Sequence, residues 1–428
     1  MKCNSLHGWA SMVESLSMTQ KAERKKKKLL NFAMIHGRDP WIHTAVLFLA
    51  LFGILMIGSA SMGTSIGSFR TIIINIAKQV IFIILGYWLM SFASRKFHLG
   101  FLKEYGFSML IILQVVLLLA CRIFPAVNGS YAWIRLGFGS LEVTLQPAEF
   151  AKICTFLLIA GHLGDRHNTK IRSWDLVKRP FVIILIFLGI IMLIQHDLGS
   201  ASVVYLIAFI CLLIPRNPKL KPWKILVSVI PVLAVAGWLY ILTPNGTNMI
   251  SHLSFLKEYQ KERFLSAADP FQYPYDQGYQ LIQSLIAFSD GGWFGRGFGS
   301  SVRKYMSFPE ATNDFILAIV VEETGYVGFL ILMLMYGIII FRLFLYARKV
   351  RSEAGKIILL GTASYFLVHI FLNVGGVTGL IPLTGVPLPL ISSGGSSAMA
   401  FMLAIGLSQA VIAKYNRDQE KMHADHSR

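Results

Sequence analysis

Charge is what this sequence lacks. Only 14% of its 428 residues are Asp, Glu, Lys or Arg, against 55% hydrophobic residues and a mean hydropathy of +0.59. A water-soluble domain carries about 25% charged residues, so a soluble surface is excluded. Cysteine is scarce as well. Cys3 lies in a polar N-terminal stretch, and Cys121, Cys154 and Cys211 fall inside or at the ends of apolar runs. That pattern gives no disulfide framework, thiolate metal cluster or thiol nucleophile. The familiar catalytic signatures are missing too: there is no H-E-x-x-H and no Ser–His–Asp logic. "GGWFGRGFGS" (291–300) does not satisfy a dinucleotide fingerprint, and "SSGGSS" (392–397) has no Lys to make it a phosphate loop. Both read as tight turns and close helix packing, with Ser396 or Ser397 capping the last helix.

What is present is length in apolar runs. Stretches such as "HTAVLFLALFGILMIGSAS" (43–61) and "TIIINIAKQVIFIILGYWLMSFA" (71–93) are long enough to cross a bilayer as helices. Spans near 43–61, 71–93, 106–124, 147–164, 180–195, 199–215, 222–242, 313–345, 357–376 and 396–414 predict an all-α polytopic bundle of about ten helices. The net charge of +18 would suit nucleic acid, but its distribution does not. Of 40 Lys and Arg, 29 fall in the termini and alternate loops on one face, and eight on the other. This is the positive-inside pattern, with both termini cytoplasmic and anionic headgroups as neighbours. The first 42 residues are polar and include "KAERKKKK" (21–28), so the first helix reads as an uncleaved anchor. The chain thus divides into a basic N-terminal segment (1–42), a transmembrane domain (43–414) and a tail (415–428).

Two segments of the opposite face stand out. Residues 243–312 make an excursion long enough to be functional. Residues 376–395, "GVTGLIPLTGVPLPLISSGG", are apolar but too rich in Pro and Gly for an uninterrupted helix. A re-entrant segment lining a cavity satisfies both facts. Ionisable residues near lipid are costly and mark chemistry. Glu149 and Lys152 share a helix face in "QPAEFAK" (146–152), either as a self-neutralising anchor or at a substrate headgroup. Asp197 in "IQHDLGSA" is read as a cavity-lining acid, with a helix N-cap as the plainer option. Glu310 and Asp314 flank the start of the eighth span, and of Glu322 and Glu323 one is expected to point inward. Lys78 is a candidate to offset buried acid.

Taken in order, "WIRLG", "QPAEFAK", "QHDLGSA", "GYQLIQSLIAFSDGGWFGRGFGSSVRK", "FPEATNDFILAIVVEETGYVG" and "TGLIPLTGVPLPLISSGGSS" resemble the SEDS family, the FtsW/RodA/SpoVE group, over about residues 43–414. The wording "GFGSSVRK…FPEA" is nearer the FtsW/SpoVE branch. The resemblance implies a peptidoglycan glycosyltransferase that polymerises lipid II at the outer face of the cytoplasmic membrane, releasing undecaprenyl pyrophosphate. It implies a class B penicillin-binding protein as partner, together with division or sporulation-septum proteins. It also implies a base for the acceptor hydroxyl, and positive charge or a divalent cation (magnesium or manganese) for the leaving group. A lipid-linked precursor transporter or flippase and a non-catalytic scaffold are the alternatives. The absence of a clear internal repeat disfavours an inverted-repeat transporter.

Carried onto this chain, the family's loop pattern places Arg263, Asp269-Pro270, Pro274 and Gly278-Tyr279-Gln280 without a gap. The position of the essential Asp is then Tyr273. A tyrosine titrates near pH 10 and is a poor base at neutral pH, so Asp276 is the favoured substitute, ahead of Asp269. Ala132 stands where the family has an arginine, with Arg135 nearby to supply charge, and Ser393 replaces the usual tyrosine. Arg135, Glu149, Lys152, Asp197, Arg263, Gln280, Lys304, Glu310, Asp314 and Ser396 are the expected substrate-binding residues.

Overall fold

Why the chain crosses and recrosses a membrane follows from its apolar runs, and the helices obey them. The structure, a computed structural model, describes residues 32–426 except 65–67, 128, 139–140, 165–171, 254–257, 273, 276–277 and 307. Its first seven long helices are α1 (Pro40–Thr64), α2 (Phe69–Lys96), α3 (Tyr105–Ala120), α4 (Pro147–Leu163), α5 (Ser173–Gly189), α6 (Leu198–Leu213) and α7 (Lys221–Ile241). Three short ones follow: α8 (Pro244–His252), α9 (Glu258–Ala268) and α10 (Tyr279–Gly291). The bundle closes with α11 (Ile316–Lys349), α12 (Glu353–Val377) and α13 (Gly395–His426). Among the described residues eight helices are long and apolar enough to cross a membrane, and the two other expected spans, α4 and α6, are shorter helices. At 17 and 16 residues, α4 and α6 reach only about 25 Å, short of a hydrocarbon core of about 30 Å.

The centre of the bundle is α4, α12 and α13. Apolar on every side, they bury most of their surface, whereas α7 buries almost none. The connection between α3 and α4 departs from an all-helical reading. Strands β1 (Ile134–Phe138) and β2 (Leu141–Leu145) pair antiparallel, with Ile134 opposite Leu145 and Arg135 opposite Thr144. Apolar residues alternate on both sides of Gly139-Ser140, which is a hairpin pattern. The 243–312 excursion contains three helices, α8, α9 and α10, before an irregular stretch that leads into α11.

Two breaks in helical backbone position the site. Within α11, Gly325 takes φ +69° and ψ −172°, a conformation only glycine adopts without strain. The glycine-rich turn after α10 runs across this break. Arg296 and Gly297 N–H donate to the Glu322 and Glu323 carbonyls, while Tyr326 and Val327 N–H donate to those of Gly292 and Trp293. Each polar group released by the break is thereby re-paired. The second break is residues 378–394, irregular and largely buried between α12 and α13. Side chains satisfy its carbonyls. Tyr336 donates to Pro389 at 2.5 Å, His369 Nδ1 to Pro387 at 3.1 Å, and Asn373 to Val386 at 2.9 Å. The expected non-helical segment therefore exists and is held by α11 and α12.

Candidate active site

One wall of the site is built where α6 begins. Asp197 caps α6, its Oδ1 accepting from Ser200 N–H at 2.9 Å, while Oδ2 accepts from Gln146 Nε2 at 3.0 Å. The plain and the functional readings of this acid are thus compatible, because the cap holds a half-buried carboxylate in place. Gln146 is itself fixed, its N–H donating to Ser396 Oγ at 2.8 Å. Ser396 Oγ in turn donates to the Thr144 carbonyl at 3.3 Å. Ser396 therefore does not cap α13 as expected. It pins β2 and the start of α4, and Arg135 lies on β1 directly opposite Thr144.

The opposite wall comes from α9 and the entry to α11. A Cβ placed on Gly385 would lie 3.2 Å from Arg263 Nη1, 3.4 Å from Nη2 and 3.4 Å from Asp314 Oδ2. A basic and an acidic side chain therefore converge over the irregular segment, at a glycine with φ +70°. Asp314's carboxyl is pushed up to about 6, first by burial, then by the negative charges of Glu310 and Asp197, against the lowering pull of Arg263. Asp197, Arg263, Glu310 and Asp314 thus act on one electrostatic locality. Glu310 Oε2 accepts from Asn313 Nδ2 at 2.6 Å. Among the described residues the non-glycine positions with left-handed backbone are His196, Glu310 and Leu390, each in one of the three segments that meet here. Backbone strain of this kind costs about 1–3 kcal/mol and gathers at functional sites.

The chain leaves α9, the helix that carries Arg263, at Asp269 and enters the loop 269–278. Exposed Asp269 accepts from Phe271 N–H at 3.0 Å, a local turn. A Cβ on Gly278 would overlap the Pro270 carbonyl, so the loop's two ends close on each other. Half-buried Gln280 starts α10, whose Leu281 packs on Gly379 and whose Ser284 donates to the Val377 carbonyl at 2.8 Å. Tyr273 and Asp276 lie outside the described residues.

Two expected ligand-binding pairs have other work. Glu149 and Lys152, 2.6 Å apart and each 1% exposed, sit in the core of the bundle. Tyr365 donates to Glu149 at 2.7 Å, and Lys152 Nζ reaches His369 Nε2 at 3.1 Å. Since His369 Nδ1 faces the Pro387 carbonyl, it is the nitrogen that carries the proton, and Nε2 accepts from Lys152. The pair supports the irregular segment from beneath. Lys304 is also 1% exposed, with Nζ donating to Ser59 Oγ, the Gly299 carbonyl and Glu323 Oε1 at 2.7–2.9 Å. All three of its hydrogens are used inside the fold. Lys304 rather than Lys78 offsets this buried acid. Glu322 and Glu323 both find protein partners, contrary to the expectation for adjacent helical residues. Glu322 Oε2 accepts from Ser301 Oγ at 2.5 Å and Glu323 Oε2 from Gly299 N–H at 3.0 Å. The turn that fills the break at Gly325 wraps both of them.

Gln146, His369 and Asn373 were not singled out in the sequence. Gln146 opens the "QPAEFAK" motif, but the partners of all three lie far along the chain. No three His, Cys, Asp or Glu side chains stand close enough to hold a metal ion among the described residues. Arg263's guanidinium brings positive charge to the site.

A multi-pass bundle with a broken helix, an irregular buried segment and an acidic site at one end defines a polytopic membrane protein class. The family model described as "Cell cycle protein", FTSW_RODA_SPOVE, matches residues 40–417, and the chain belongs to this family, the SEDS proteins, on its FtsW branch. It is 32% identical over 374 residues to the "Probable peptidoglycan glycosyltransferase FtsW" of Aliivibrio salmonicida, covering 86% of each chain. It is 30% identical over 401 residues to the protein of that name from Bacillus subtilis, covering 91% of this chain and 94% of the relative. Among solved structures, one described as "Structural coordination of polymerization and crosslinking by a peptidoglycan synthase complex" superposes with a TM-score of 0.67 at 25% identity, over 89% of this chain and 99% of that one. The RodA of Thermus thermophilus shares the fold with a TM-score of 0.58 at 22% identity, over 88% of this chain and 96% of that one.

Proposed function

We propose that this chain is a peptidoglycan glycosyltransferase that polymerises lipid II into glycan strands at the outer face of the bacterial cytoplasmic membrane, in division or sporulation. The convergence of Arg263, Asp314, Glu310 and Asp197 beside the irregular segment 378–394 carries this reading. Basic residues concentrate on the opposite face, which supports an outward orientation for the site and a cytoplasmic one for the termini. Buried acids strung along a transport route would favour a flippase instead. Here Glu149, Glu322 and Glu323 are all engaged by protein partners.

In the reaction an acceptor sugar hydroxyl attacks the donor's anomeric carbon, and the carbon–oxygen bond to the diphosphate breaks with inversion. The diphosphate leaves with the bonding electrons, and Arg263 offers charge to it. The hydroxyl's proton passes to a carboxylate, assigned to Asp276 in the loop, with Asp269 as second choice. Asp314, titrating near 6 on the wall, is suited to hold or relay it. Tyr273, at the family's acid position, supports a second reading in which the chain is a scaffold for a class B penicillin-binding protein.

The test is polymerisation of lipid II by purified protein with a class B transpeptidase, comparing wild type with Asp269→Ala, Asp276→Ala, Arg263→Ala and Tyr273→Asp. Glycan strands from wild type and their loss in Asp276→Ala are expected. Strands from none of the five proteins would establish the scaffold, and full activity in Asp276→Ala would move the base elsewhere.

A further inference from the structure

The face of the bundle opposite the candidate active site carries a recess that glycosyl transfer does not use. It lies where α5 and α7 begin side by side. The Trp174 and Trp223 rings are 5.4 Å apart, and Phe181 closes on them at 6.0 and 5.7 Å. The Trp223 indole N–H donates to Ser173 Oγ at 2.9 Å, and the Ser173 hydroxyl donates to the Lys219 carbonyl at 2.7 Å. These bonds hold the aromatic wall in place. A cleft of about 470 Å³ opens between Arg172, Ser173, Trp174, Asp175, Pro222 and Trp223.

One turn along α7 from Pro222, a second, separate groove of about 390 Å³ follows Ile225, Val229, Val232 and Leu233, with Lys224 and Ser228 also lining it. Pro231 has no N–H for the Val227 carbonyl, and the Tyr205 hydroxyl of α6 donates to that carbonyl at 2.5 Å instead. This bond and that of Lys224 to the Leu213 carbonyl fasten α7 to α6 beside the groove.

The rim is cationic. Arg172 and Lys221 are exposed; Arg172 acts electrostatically on Asp175, which lines the same cleft and is already bound by Lys178. Lys178, Arg179, Arg216 and Lys219 lie on the same face. The acids nearby are Asp175, bound by Lys178 at 2.8 Å, and Glu353, which accepts from Arg216 N–H at 3.5 Å. Lys224 is spent on the Leu213 and Pro215 carbonyls at 2.8 and 2.7 Å.

We propose that this recess binds an anionic phospholipid of the adjacent leaflet. Arg172 and Lys221 hold its phosphate, the paired indoles pack on the glycerol region, and one acyl chain lies in the groove along α7. The charge alone would suit any small anion. The apolar groove one turn of α7 away from the cleft selects a lipid, whose acyl chain can span that turn.

The experiment measures lipid retention by native mass spectrometry on the delipidated full-length protein, offered phosphatidylglycerol and phosphatidylcholine of matched chains. Wild type is expected to prefer phosphatidylglycerol about tenfold, and the Arg172→Gln/Lys221→Gln variant to lose most of that preference. The same neutralisation at Arg348 and Lys349, also on this face, is expected to leave it intact. Val229→Trp fills the groove without altering charge, so it reports by a second route if the double variant fails to fold. No preference in wild type would overturn the proposal, as would equal loss in the Arg348/Lys349 control. Unchanged retention in Val229→Trp, or displacement of the lipid by millimolar inorganic phosphate, would do so too.

Discussion

At the scale of single residues, the same charged side chains divide into those that face the site and those that hold the fold. Asp314 belongs to the first group. Its folded value near 6 lies above its ordinary 3.8, so the folded state binds the proton more tightly. The stabilisation is therefore complete below about pH 4 and fades as pH rises through about 6. Asp314→Asn should flatten the melting temperature across that window and abolish any rise of polymerisation rate centred near pH 6. An unaltered pH profile in this variant would remove Asp314 from the site. Lys304 and Glu323 belong to the second group, being wholly buried and 2.9 Å apart. Lys304→Met alone strands a buried carboxylate and should cost about 3–5 kcal/mol. Adding Glu323→Gln should return much of that loss. Thermal unfolding in detergent measures both, and additive losses would show that the two do not act as a pair.

At the scale of elements, glycine decides where backbone can come close. A Cβ at Gly199 would overlap the Thr384 carbonyl, so Gly199→Ala should push the irregular segment off α6. Because small misplacements of a site carry large rate penalties, polymerisation is expected to fall about 100-fold with the helices intact. Near-normal activity would mean that the segment's position is not critical. Gly325→Ala places a side chain at φ +69° and against the Trp293 carbonyl. A loss of about 1–3 kcal/mol is expected, together with release of the glycine-rich turn that satisfies Glu322 and Glu323. Circular dichroism melts would reveal it.

At the scale of the whole molecule, the asymmetry of Lys and Arg predicts both termini on one side of the membrane and the site on the other. Cys121, Cys154 and Cys211 are buried, which suits labelling with a membrane-impermeant maleimide in intact cells lacking Cys3. Phe271→Cys, on the exposed loop, should label at once, and Arg351→Cys only after permeabilisation. The reverse pattern would invert the proposed topology.

Composition and periodicity alone determined that this is a membrane bundle and that residues 376–395 could not make an uninterrupted helix. Those properties follow from solvent preference and local backbone chemistry, which each stretch carries in itself. The motif order likewise marked the family and brought Asp197, Arg263, Glu310 and Asp314 forward as candidates. Only the tertiary structure decided which charges are spent. Lys304 meets Ser59, Lys152 meets His369, and Ser396 meets Thr144, each across more than 200 residues of chain. The hairpin over 134–145 was legible as alternating apolar residues around Gly-Ser, but the helical signal on either side overshadowed it. Contacts that distant depend on how helices pack, and packing is set by the shapes of all partners at once. A buried charge must find its counter-charge wherever the fold brings one near, and that pairing separates the structural ions of this protein from those left to face a substrate.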